Sequence, residues 1–225
     1  MNDNLINTYE EAKQVVSELG FLPLAPLFPE FPSLQSITNR ECWYTDEPND
    51  PWTWRTKFAA DGVAAYGKFL KKKSVLISKE LFPLVQVLLG SEDSLRKRYE
   101  NGNLSKEALQ LFEIIEANEG IDTRLLRTQA EMREKEKKKP FDQALVELQG
   151  NIDIVVSGIK EKHNELGEKK SWSSTSFETM THWVQKNRVE TFRGTKKEAK
   201  ELLYTHFSAV TTPPAFAKFK KLFAL

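Results

Sequence analysis

Residues 105–182 pass through three helical periods, a strand period, a basic loop and a second strand period, and this order constrains the fold more than any other feature. Ser105 is a helix cap, and Ala108, Leu111, Phe112 and Ile115 follow at i, i+3, i+4 and i+7 until Gly120 stops the run. Asp122 or Thr123 caps a short second helix carrying Leu125, Leu126 and Ala130. Pro140 suits the first turn of a third helix, where Phe141, Ala144, Leu145 and Leu148 repeat the spacing and Gly150-Asn151 ends it. Ile152, Ile154 and Val156 then alternate with Asp153, Val155 and Ser157, and Thr175, Phe177 and Thr179 alternate again. Lys160 to Trp172, between the two, is long, polar and basic. This is the chain order of a winged helix-turn-helix, expected here over residues 104–190.

The flanks are less regular. Thr8-x-x-Glu11 is a capping box, Ala12, Val15, Val16 and Leu19 keep helical spacing, and Gly20 is a stop. Phe21 to Pro32 carries a proline at every third residue, and its Leu and Phe residues predict an extended strap packed across a core. Phe58 to Leu70 reads as a helix-like run, Val75-Leu76-Ile77 as a short strand, and Glu80 to Leu89 as a helix ended by Gly90. Asn101-Gly102-Asn103 is a turn and a boundary, leaving residues 1–103 as an N-terminal helical region. Thr195-x-x-Glu198 opens another capped helix, and Thr212-Pro213-Pro214 opens the last one, so residues 191–225 form a helical segment like the start of a second helix-turn-helix. The expected fold is mainly α with small β-hairpin wings (α+β).

Composition excludes more than it assigns. There is no apolar run of about 18 residues to cross a membrane, and the N-terminus lacks a secretory pattern, so a cytoplasmic protein without a membrane partner is expected. Cys42 is the only cysteine, which rules out an internal disulfide. His163, His182 and His206 show no metal-ligand spacing to another His, a Cys or a carboxylate, so no metal is expected. No Gly-rich phosphate loop is present, and no cofactor is expected. Net charge is only +1, but Arg124 to Lys139 holds seven Lys and Arg against three Glu.

A winged helix presents its third helix to the groove and its wing to the backbone. That assigns phosphate contacts to Arg124, Arg127, Lys137, Lys138 and Lys139, and to Lys160, Lys162, Lys169 and Lys170 on the wing. Gln143 would read an adenine edge, while Asp142 and Glu147 on the same face repel phosphate. Trp52, Trp54 and Arg55 are candidates for stacking on exposed bases; core packing is the competing role for a Trp-rich stretch.

Several segments are similar to the AlkZ-type DNA glycosylases. They are Glu198 to Phe207 followed by Thr212 to Phe219, Trp172 through Trp183, and Leu81-Phe82-Pro83-Leu84. The resemblance covers nearly the whole chain and implies DNA, duplex or damaged, as the partner. A full glycosylase of that type has three such units, so this much shorter chain is expected to be a truncated relative. The family carries Gln-x-Gln or Gln-x-Asp early in the chain, after a Gly and two apolar residues. In Gly20-Phe21-Leu22-Pro23-Leu24-Ala25 the matching positions are Pro23 and Ala25, and neither side chain accepts a proton. The leading expectation is therefore a DNA-binding relative without catalysis and without catalytic residues. Two alternatives stand beside it: a relocated glycosylase site using Asp46, Glu47 or Asp50 beside Trp52, and a protein-interaction module forming a homo-oligomer.

Overall fold

A computed structural model describes residues 5–70, 72–163 and 169–225 of the chain. The fold is mixed α/β, with two small antiparallel sheets set among helices. Helices dominate as expected, and the N-terminal sheet adds β-structure beyond the expected wings.

Helix α1 (Tyr9–Leu19) opens with the Thr8–Glu11 capping box and ends at Gly20. The proline-rich segment then divides. Phe21–Pro23 is an edge strand, β1, and the rest runs irregularly, with Phe28 and Phe31 packed against Phe219. Helix α2 (Pro51–Ala60) follows; Asp50 caps it, and Pro51 sits at its first turn, where its missing N–H costs nothing.

The expected helix-like run from Phe58 to Leu70 is a helix end, a turn and a strand. Gly62 adopts φ +68°, which stops α2, and Asn187 lies so close that a Cβ there would collide with it. Strand β2 (Ala64–Leu70) then pairs with β3 (Lys73–Ser78), which also pairs with β1, in the order β1-β3-β2. The misreading has a physical reason. Ala64, Tyr66, Leu76 and Leu22 enter one hydrophobic core, while Ala65, Phe69, Ile77 and Phe21 enter another. A sheet buried on both faces shows no polar alternation in its sequence.

Helices α3 (Phe82–Leu89) and α4 (Leu95–Glu100) lead to the central unit. Its order is α5 (Lys106–Ala117), β4 (Ile121–Asp122), α6 (Thr123–Gln129), α7 (Lys138–Gly150), β5 (Ile154–His163) and β6 (Lys169–Thr179). The second sheet is ordered β4-β6-β5. Helices α8 (Met180–Lys186), α9 (Lys196–Val210) and α10 (Pro213–Phe223) complete the chain.

The first core gathers α1, α2, α5, α6 and α7 through residues such as Val16, Trp54, Phe58, Leu111, Leu126 and Phe141. The second gathers α3, α8, α9 and α10, where Phe207 stacks on Phe219 with centroids 4.0 Å apart. Strand β5 also serves both, sending Ile154 and Val156 to the first core and Val155 to the second. Trp183 of α8 ties them: its Nε1 donates to the Ala59 carbonyl at 3.0 Å.

Candidate nucleic-acid interface

One cleft that combines the N-terminal half with the central unit lies between α2 and β2 on one side and α7 and β6 on the other. Its volume is about 460 Å³, and Trp52, Arg55, Tyr66, Asp142, Gln149 and Thr175 contribute to its walls. Asp50 creates the α2 wall. Its buried carboxylate accepts from the backbone N–H of Tyr44, Asp46 and Trp52 at 2.8–3.1 Å, which caps the helix and folds the preceding loop onto it.

Helical spacing then puts Trp52 and Arg55 on one face of α2. The Arg55 guanidinium lies 3.5 Å from the centroid of the Trp52 ring. Tyr44 and Trp43 pack around the same indole, at centroid distances of 4.9 and 6.5 Å. Burial holds the Arg55 guanidinium below its ordinary pKa and pushes the Tyr66 hydroxyl above its own. Arg55 forms no ion pair among the described residues, although the charge of Asp50 lies near enough to act on it. It is a flat, partly desolvated cation with its donors uncommitted.

On the opposite wall, Asp142 forms an exposed ion pair with Lys138 at 2.5 Å. Gln149 is buried and fixed: its Nε2 donates to the Leu145 carbonyl, and its Oε1 accepts from the Lys68 backbone N–H.

The sequence-assigned residues fall in different surroundings. Trp52 and Arg55 meet in the cleft, but Trp54 does not reach it. Trp54 is 1% exposed, sits in the first core beside Tyr9, and donates its Nε1 to the Pro48 carbonyl. Arg124 reaches the hairpin, donating to the Lys160 carbonyl at 3.2 Å, so the start of α6 lies against β5. Arg127 is turned inward, donating to the Met132 carbonyl and lying over the Phe141 ring. Lys137 donates to the Glu131 carbonyl. Lys138, Lys139, Gln143 and Lys160 are exposed. The side chains of Lys162, Lys169 and Lys170 fall outside the described residues, although their backbones belong to β5 and β6.

Two expectations need correction. Asp50 is unsuited to activate water, because the backbone donors just named already occupy its carboxylate. His182 does have carboxylate neighbours: its Nδ1 lies 2.5 Å from Glu178 Oε2 and 3.9 Å from Glu119 Oε2. Glu119 is far from His182 in the chain, and only the β4–β6 pairing brings it there. His206 meets the Leu19 carbonyl at 2.9 Å, and the His163 side chain lies outside the described residues.

Leu24 lines the cleft, and its chain neighbours Pro23 and Ala25 do not. No helix among the described residues is long and apolar enough to cross a membrane. Fold and cleft together define a small mixed α/β protein with an aromatic-arginine cleft between its N-terminal half and a helix–sheet unit. The chain belongs to the AlkZ-related family, whose model matches residues 6–224, and so to a group related to the AlkZ-type DNA glycosylases. No curated protein and no solved structure matches it.

Proposed function

We propose that this protein binds DNA on the face where the Arg55–Trp52 cleft opens, and that it does so without excising bases. The observation that carries the reading is the Arg55 guanidinium, stacked 3.5 Å over Trp52 in the cleft wall and in no ion pair among the described residues. A planar cation held in this way suits a phosphate or the edge of an extruded base. Family membership favours the same partner.

In this reading residues 104–190 act as a winged helix, flanked by residues 1–103 and by the helical segment 191–225. The element order α5, β4, α6, α7, β5, β6 supports it. Lys138, Lys139 and Lys160 hold phosphates, joined by Lys162, Lys169 and Lys170 on the hairpin. Gln143, exposed on α7, meets a base edge. Arg124 acts indirectly, setting the hairpin against α6. Excision chemistry is absent because Pro23 and Ala25 stand where the resemblance puts water-activating side chains.

Titration of fluorescent duplex, mismatched and single-stranded DNA at low salt tests the proposal. With a net charge of +1 the expected affinity is modest and falls steeply with salt. Absence of binding up to tens of micromolar, at about 50 mM salt, removes it. Base release from alkylated DNA would keep DNA as the partner but replace the non-catalytic reading.

A further inference from the structure

We propose that Glu119, Glu178 and His182 form a binding site for a divalent transition cation of the Zn²⁺ or Mn²⁺ type. The site is separate from the Arg55 cleft and does not depend on the DNA reading. One donor atom from each of the three side chains falls within 4.8 Å of the others. They come from the α5–β4 turn, the end of β6 and the first turn of α8.

The frame that holds them is rigid. Gly120 takes φ +79°, and its N–H donates to the Phe177 carbonyl, which brings the turn against β6. Glu119 then accepts from Thr179 twice, from the backbone N–H at 2.7 Å and from Oγ1 at 2.5 Å. Thr179 in turn caps α8, its Oγ1 accepting from the His182 N–H. This chain of bonds fixes the angle between the strand end and the helix, and so the spacing of the three donors.

Glu178 points to a ligand beyond the protein. Its side chain is 1% exposed, and Oε1 has no hydrogen-bond partner among the described residues. An ionised carboxylate in that position is costly unless a positive charge meets it. Lys186 Nζ approaches Oε1 at 3.5 Å, longer than a charge-assisted hydrogen bond, and its side chain is 45% exposed. Lys57, on the facing helix, directs its ammonium over the Tyr9 ring instead. A cleft of about 520 Å³ opens above the three donors, with Ser157, Gly158 and Ser176 in its wall.

The donor chemistry selects the cation. One imidazole nitrogen and two carboxylates, without sulfur, suit Zn²⁺ or Mn²⁺ and disfavour Cu(I). Metal–ligand bonds of about 2.0–2.2 Å place neighbouring ligand atoms about 3.3 Å apart. His182 Nδ1 stands 2.5 Å from one carboxylate and 3.9 Å from the other, so small side-chain rotations reach that geometry. Three protein ligands leave a further position open to the cleft for water or a small anion.

Calorimetric titration of the chelator-treated full chain with Zn²⁺ and Mn²⁺ tests the site. A single saturable cation is expected, with affinity weakened at least about tenfold by His182→Ala and by Glu178→Gln. The surface control Glu116→Gln is expected to leave it unchanged. Lys186→Ala removes the competing ammonium and is expected to preserve or tighten binding. Mn²⁺ is expected to broaden the His182 imidazole resonances before those of His206. Because Glu178 is buried, its variant is checked by circular dichroism, and the half-exposed His182→Ala decides the matter if Glu178→Gln does not fold. No saturable site below about 100 µM, equal affinity in His182→Ala, or loss of binding in Lys186→Ala overturns the proposal.

Discussion

Gln149 and Lys68 are joined across most of the cleft-forming chain: the Gln149 Oε1 accepts the Lys68 backbone N–H at 2.9 Å. The register of β2 against β3 shifts between Gly67 and Leu70, which takes Lys68 out of the regular ladder. Gln149, 4% exposed at the end of α7, supplies the missing acceptor. One amide thus locks the central unit to the N-terminal sheet and sets the width of the cleft.

Gln149→Leu keeps the volume and removes both hydrogen bonds. It is expected to lower stability by about 1–3 kcal/mol, since the strand N–H loses its partner. Urea unfolding measures this. A variant as stable as wild type would show that water replaces the amide at no cost.

Arg98 and Asp153 form another long-range polar tie, at 2.6 Å with both side chains nearly buried. Burial pushes the Asp153 carboxyl up to about 6, against the pull of Arg98. In the folded chain Asp153 then holds a proton between pH about 4 and about 6 that the unfolded chain has released. Its contribution to stability falls as pH rises through that window and levels off above it. Asp153→Asn removes the titration. The stability of Asp153→Asn relative to wild type is therefore expected to rise by up to about 3 kcal/mol from pH 4 to pH 7. A pH-independent difference would mean that Arg98 keeps Asp153 ionised throughout.

Arg55 and Trp52 provide the sharpest test of the cleft. Arg55→Ala is expected to weaken DNA binding about tenfold and to lower the melting temperature by only about 2–4 °C, through loss of the stack on Trp52. Arg55→Lys keeps the charge and loses the flat fork, so it is expected to recover only part of the affinity. Full recovery would reduce the role of Arg55 to charge alone, and an unaffected Arg55→Ala would move the interface elsewhere.

Lys139 and Lys160 are exposed on α7 and β5. If each meets a phosphate, Lys139→Ala and Lys160→Ala are each expected to reduce the slope of log affinity against log salt by about 0.9. Arg127→Ala is expected to act differently, lowering stability, because its guanidinium holds the Met132 carbonyl and covers Phe141.

Capping chemistry and helical period were legible wherever an element buries a single face. The boxes at Thr8–Glu11 and Thr195–Glu198, and the spacing of Ala108, Leu111 and Ile115, correspond to α1, α9 and α5. These signals are local: a cap reads donors a few residues away, and one buried stripe repeats each turn. Strand β2 lacked such a signal because both its faces are covered, and α2 lacked one because its apolar residues show no single stripe.

The candidate sites divide in the same way. The sequence determined that Trp52 and Arg55 share a helix face if α2 forms, and that Pro23 and Ala25 offer no proton acceptor. Tertiary structure alone decided that Trp54 is core while Trp52 faces a cleft, that Arg127 turns inward, and that Glu119 meets Glu178 and His182. The reason is range. Periodicity and caps act within a turn or two of chain, whereas the partners of a buried charge are chosen by which sheet edge and helix end the packed cores bring together.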